Sequence, residues 1–80
     1  MTKEEIISLA RTILAEHLGI DVEYISPEKR LSEDLGADSL DVVEEVMSIE
    51  DAFHISIPDE EIENLRTVGD FYDLLEKIVK

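Results

Sequence analysis

The sequence predicts an all-α fold: a small four-helix bundle of three main helices and one short helix, with a long first loop. Three observations predict it. Apolar residues recur at helical spacing in three segments, each opened by a capping signal. No segment sustains the alternation of a strand. The chain has 80 residues, enough for one small domain spanning 1–80, and 44% of them are hydrophobic, enough for a packed core.

The first helix opens at Thr2, where Thr2 to Glu5 reads T-x-x-E, a capping box. Ile6, Leu9, Ala10, Ile13, Leu14 and His17 then share one face, and Gly19 supplies a left-handed stop. Ile20 to Ala37 reads as a long connection, with Ser26-Pro27 starting a short turn and Val22, Ile25, Leu31 and Leu35 as apolar anchors. Connections this long in small domains are uncommon unless they pack or work. Gly36 lets the chain bend before Asp38, a good N-cap for a second helix from about Ser39 to Phe53. Pro58 opens a short acidic segment, about Asp59 to Asn64. Thr67 to Asp70 reads as another capping box, and the last helix runs to about Val79 with Val68, Phe71, Leu75 and Ile78 on one face.

Charge narrows the function. Lys and Arg number 7 against 21 Asp and Glu, a formal net charge of −14. No base occurs from Leu31 through Leu65, a stretch holding 12 acids. That balance opposes binding to nucleic acid and to anionic membrane surfaces. The run is either a solvated face that keeps the chain soluble or a field that steers basic partners. With no Cys, disulfides and thiolate chemistry are excluded. No segment is apolar enough to insert stably in a bilayer, and the N-terminus lacks the apolar stretch of a signal peptide, so a cytoplasmic, monomeric protein is expected.

The second helix carries more apolar surface than one core requires. At 100° per residue from Leu40, Val42, Val46, Ile49 and Phe53 cluster at about 180–240°. Leu40, Val43 and Met47 fall at about 300–360°, among or beside Asp41, Glu44, Glu50 and Asp51. Either two neighbouring helices cover both stripes, or the second is an exposed apolar patch ringed by acids, the composition of a docking surface.

The most specific signal lies at the start of this helix: Leu35-Gly36-Ala37-Asp38-Ser39-Leu40-Asp41. A serine in the first turn presents its hydroxyl where free N–H groups and the helix dipole favour an anionic substituent. The segment resembles the attachment motif of acyl carrier proteins. The similarity covers essentially the whole chain, including the long loop, the I-P-D-E-E segment at Ile57 to Glu61 and the T-V start of the last helix. The resemblance implies a 4′-phosphopantetheine arm on Ser39, installed from coenzyme A by a carrier protein phosphopantetheinyl transferase, and acyl groups carried on it as thioesters. It implies a carried substrate and not an enzyme. Asp38 would flank the modified serine and Leu40 would seat it. Asp41, Glu44, Glu50, Asp51, Asp59 and Glu63 would meet basic docking patches on acyl-processing enzymes, with Val43 and Met47 as apolar contacts. Fatty acid biosynthesis is the expected pathway, with polyketide, aminoacyl or D-alanyl carriers as alternatives. An acidic adaptor with no prosthetic group is the competitor from another class.

Two positions depart from the family. Glu45 stands where an apolar residue, often Leu, is common, and Leu31 where Phe is. Both lie near the family's acyl-binding interior. Glu45 falls at about 140°, bordering the core stripe, where a carboxylate is expected to reach water and keep that edge wet. A serine hydrolase is excluded, since no G-x-S-x-G is present and His17 and His54 have no sequence link to Ser39. The spacing of Asp34, Asp38 and Glu45 matches part of a calcium loop, but Gly36 and Ser39 stand where a ligand and a glycine are needed. No metal site is expected.

Overall fold

A computed structural model describes residues 1–79. Among these, the elements are α1 (Lys3–Leu18), a 3-10 turn (Val22–Tyr24), α2 (Ser39–Phe53), α3 (Asp59–Glu63) and α4 (Val68–Val79), with no strand. The all-α reading holds, with three main helices, one short helix and a long first loop. The 3-10 turn was not expected.

Each main helix is opened by the residues that signal it. The Thr2 hydroxyl accepts from the Glu5 N–H at 3.1 Å, and the Glu5 carboxylate accepts from the Thr2 N–H at 2.8 Å. These bonds hold the Glu5 carboxyl below the usual carboxylate range. The α1 helix ends at Gly19, in the left-handed conformation at φ 70°, where its N–H reaches the Ala15 carbonyl. At α4, Thr67 Oγ1 accepts from the Asp70 N–H at 3.1 Å while Asp70 Oδ2 accepts from the N–H groups of Arg66 and Thr67.

Helices α1 and α2 pack together, and α1 packs on α4. The core is built from Ile6, Ala10 and Leu14 of α1, Val46, Ile49 and Phe53 of α2, and Val68, Phe71 and Leu75 of α4, all buried. Each of these sets follows the helical spacing of its segment.

The long loop packs. Ile25, Leu31 and Leu35 enter the core. Val22, expected as a further anchor, is exposed at the start of the 3-10 turn, none of whose residues is buried. Beyond the Ser26–Pro27 turn, the loop runs antiparallel beside the start of α4. The Leu31 N–H donates to the Arg66 carbonyl at 2.8 Å, and the Val68 N–H donates to the Lys29 carbonyl at 3.0 Å. Gly69 permits this approach: a Cβ there would lie 3.1 Å from the Pro27 carbonyl oxygen.

One expectation fails. Glu45 does not reach water; it is 0% exposed, and neither carboxylate oxygen has a hydrogen-bond partner. The bond between His17 and Glu44 lays α1 along the flank of α2 that carries Asp41 and Glu44. Around the helix axis Glu45 lies between that flank and the core stripe, and the folded bundle buries it. A helical projection gives the angle of a side chain but not the depth that a neighbouring helix adds. Burial, with repulsion from Asp41, pushes the Glu45 carboxyl up to about 7.

Candidate functional site

The site is built on the N-terminus of α2. Ahead of it, the chain turns at Gly36, φ 73°, between the buried side chains of Leu35 and Ala37. The Ala37 N–H donates to the Leu31 carbonyl at 2.9 Å, which pins this turn to the loop. Asp38 is extended, and its Oδ1 accepts from the Asp41 N–H at 2.9 Å. Asp41 answers by accepting from the Asp38 N–H at 3.1 Å. This reciprocal box occupies the N–H groups of Asp38 and Asp41. The N–H groups of Ser39 and Leu40, in the first turn, lie outside it.

Ser39 is the first residue of α2 and is exposed. Its hydroxyl sits on a rigidly capped helix end, at the positive pole of the dipole. A phosphodiester fits this place, because the free N–H groups of the first turn and the positive end of the helix dipole favour its charge. Neither histidine is bonded to Ser39 among the described residues: His17 Nε2 lies 3.2 Å from Glu44 Oε1, and His54 ends α2 in the left-handed conformation at φ 56°. The arrangement pairs the hydroxyl with no histidine among the described residues.

Beside Ser39 the apolar flank of α2 is open. Leu40 is 64% exposed, Val43 46% and Met47 59%, so no neighbouring helix among the described residues covers this stripe. Of the acids expected to surround it, Asp51, Asp59 and Glu63 are exposed. Glu44 is exposed but holds His17. Glu50 is half-buried, and its Oε2 accepts from the Ile57 N–H at 2.7 Å, which ties α2 to the connection before α3. Its role is structural before it is electrostatic, a distinction that spacing on one helix did not reveal.

Sequence reasoning also missed a groove of about 330 Å³ lined by Leu31, Val42 and Leu65 and edged by Arg30 and Arg66. Its walls come from the long loop, α2 and the connection between α3 and α4, which only the tertiary structure brings together. A further cluster, His17, Asp41 and Glu44, places one ligand atom of each within 4.8 Å of the others at the α1–α2 surface.

The family model described as the phosphopantetheine attachment site matches residues 8–75. An acyl carrier protein of Syntrophobacter fumaroxidans is 57% identical over 65 residues, covering 81% of this chain and 80% of that protein. The chain belongs to the acyl carrier protein family. Solved structures agree. A candidate acyl carrier protein of Mycobacterium tuberculosis superposes with a TM-score of 0.85 at 29% identity, covering 90% of this chain and 96% of that one. The acyl carrier protein of Enterococcus faecalis superposes with a TM-score of 0.77 at 34% identity, covering 95% and 98%. Acyl carrier proteins bear phosphopantetheine and act as carriers, served by transferases and acyl-processing enzymes. No helix of this carrier among the described residues is long and apolar enough to cross a membrane.

Proposed function

We propose that Ser39 bears the 4′-phosphopantetheine arm and that the chain is a cytoplasmic carrier of acyl intermediates in fatty acid biosynthesis. The exposed hydroxyl at the capped start of α2 carries this reading. The arm supplies a thiol that holds acyl groups as thioesters, the sulfur function that a chain without cysteine lacks. Asp38 and Asp41 hold the helix end in one geometry, so that a transferase meets the hydroxyl in a fixed orientation. The free N–H groups of Ser39 and Leu40 favour the phosphodiester charge.

Leu40, Val43 and Met47 form the apolar centre of the docking face, and a methionine adapts to several partners in turn. Asp41, Glu44, Asp51, Asp59 and Glu63 supply the field that steers basic patches toward it. Glu50 adds charge from a fixed, partly buried position.

The test is intact mass after incubation with a carrier protein phosphopantetheinyl transferase, Mg²⁺ and coenzyme A. The native chain gains the mass of the arm, and Ser39→Ala gains nothing. An Ala variant that is still modified moves the site elsewhere. A native chain that is never modified leaves an acidic adaptor.

A further inference from the structure

One side-chain cluster apart from Ser39 joins two helices. A ligand atom from each of His17, Asp41 and Glu44 lies within 4.8 Å of the other two. Asp41 and Glu44 are three residues apart on α2, so their side chains are neighbours on its surface. His17 comes from the last turn of α1, which packs on α2. No spacing motif announces this set, because its third member stands on another helix.

The donors suit a particular class of ion. His17 Nε2 stands 3.2 Å from Glu44 Oε1. Two ligands of a tetrahedral zinc ion, each about 2.0–2.1 Å from the metal, are roughly 3.3 Å apart. Asp41 Oδ2 accepts from the Asp38 N–H, and its Oδ1 has no hydrogen bond among the described residues. Two carboxylate charges balance a divalent ion, and a neutral imidazole adds a donor without charge. The C-terminal turn of α1 favours a cation as well. Mg²⁺ and Ca²⁺ take oxygen ligands, whereas Zn²⁺ and its neighbours in the transition series also bind imidazole well.

A second observation points to a cation here. Glu45, one turn on from Asp41 along α2, is fully buried, and neither of its oxygens has a partner. Native interiors leave few polar groups in that state. Asp41 is close enough to repel it. A cation held at Asp41 replaces that repulsion with attraction. His17 and Glu44 are exposed and Asp41 is half-buried, so an ion enters from solvent.

We propose that His17, Asp41 and Glu44 bind one divalent transition-metal ion, with water completing its coordination, and that the ion clamps the end of α1 to the first half of α2. The proton between Nε2 and Oε1 leaves to solvent as the metal enters. The site needs no arm on Ser39.

Zinc binding is measured by titration calorimetry on the unmodified chain, in millimolar Mg²⁺ to fill the oxygen-only acidic surface. The native chain is expected to take up one Zn²⁺ and to melt at higher temperature as the free ion rises. His17→Gln and Glu44→Gln should each weaken binding by at least the roughly 10- to 100-fold that loss of a supporting group costs a metal site. His54→Gln and Asp59→Asn should bind as the native chain does. Proton NMR reads the same point without substitution, and decides it if a variant does not fold: zinc shifts the ring signals of His17 and leaves those of His54. Zinc that binds His17→Gln as tightly as the native chain, or that shifts His54 in place of His17, overturns the site and leaves only a general attraction to acids. A native chain that takes up no zinc overturns it outright.

Discussion

At neutral pH, Glu45→Leu should stabilise the bundle, because it replaces a buried orphan carboxyl with a side chain that needs no partner. The gain should be about 1–2 kcal/mol, read as a higher urea midpoint. Glu45→Gln isolates the charge. The native carboxyl is pushed up to about 7, so the folded state holds its proton after the unfolded chain has released it. Stability is therefore fully present below the ordinary carboxylate range and is lost as pH rises from there to about 7. Glu45→Gln should flatten this decline, and urea midpoints across the range measure it. An unchanged slope would assign the decline to other acids. Ser39 behaves oppositely. It is exposed and its side chain caps nothing, so Ser39→Ala should shift stability by less than about 0.5 kcal/mol while removing the attachment hydroxyl. Circular dichroism and a melting curve check the first half of that statement.

On the element scale, α2 serves two surfaces. Its Val46–Ile49–Phe53 stripe builds the core, while Leu40, Val43 and Met47 stand in water. The charges around the exposed stripe should matter by position and not only by sum. Asp51→Lys and Glu44→Lys should slow association with a transferase several-fold at low salt, and less as salt rises. Glu4→Lys and Asp73→Lys, on exposed faces of α1 and α4, should do much less. Stopped-flow association rates at two ionic strengths measure this, and equal effects from all four would reduce the docking face to net charge. Glu44→Lys also breaks the bond to His17, so its stability must be measured alongside. Glu50→Lys belongs to another class. It removes the acceptor of the Ile57 N–H and should loosen the connection into α3 before it affects any partner.

For the whole molecule, a net charge of −14 on 80 residues implies self-repulsion concentrated in the base-free stretch from Leu31 through Leu65. Millimolar Mg²⁺ or moderate salt should raise the melting temperature by several degrees through screening. Indifference to both would refute strong repulsion. Acid brings two opposed trends. Protonation relieves Glu45 first. At lower pH the hydrogen-bonded carboxylates of Glu5, Glu28 and Asp34 are protonated and their bonds lost, because those bonds hold each below its ordinary range. Stability should therefore peak on the mildly acidic side of neutrality, as calorimetry across pH would show.

Much of this molecule is local and was legible in the sequence. Capping boxes at Thr2 and Thr67, an N-cap at Asp38, a left-handed Gly19 and helical spacing of apolar residues each depend on neighbours within about one turn, so the chain alone determined where the main helices begin and what face they bury. The Asp38-Ser39-Leu40 start of α2 was legible for the same reason. Other features depend on residues distant in the chain, and only the tertiary structure decided them. The exposed stripe of α2 could have been covered by a second helix; packing left it open. Glu50 reads as one more surface acid until Ile57 folds back onto it. Glu45 sits at an angle consistent with water, and the folded bundle closes over it. Angle around a helix is a property of spacing, whereas depth belongs to whatever element lies across it.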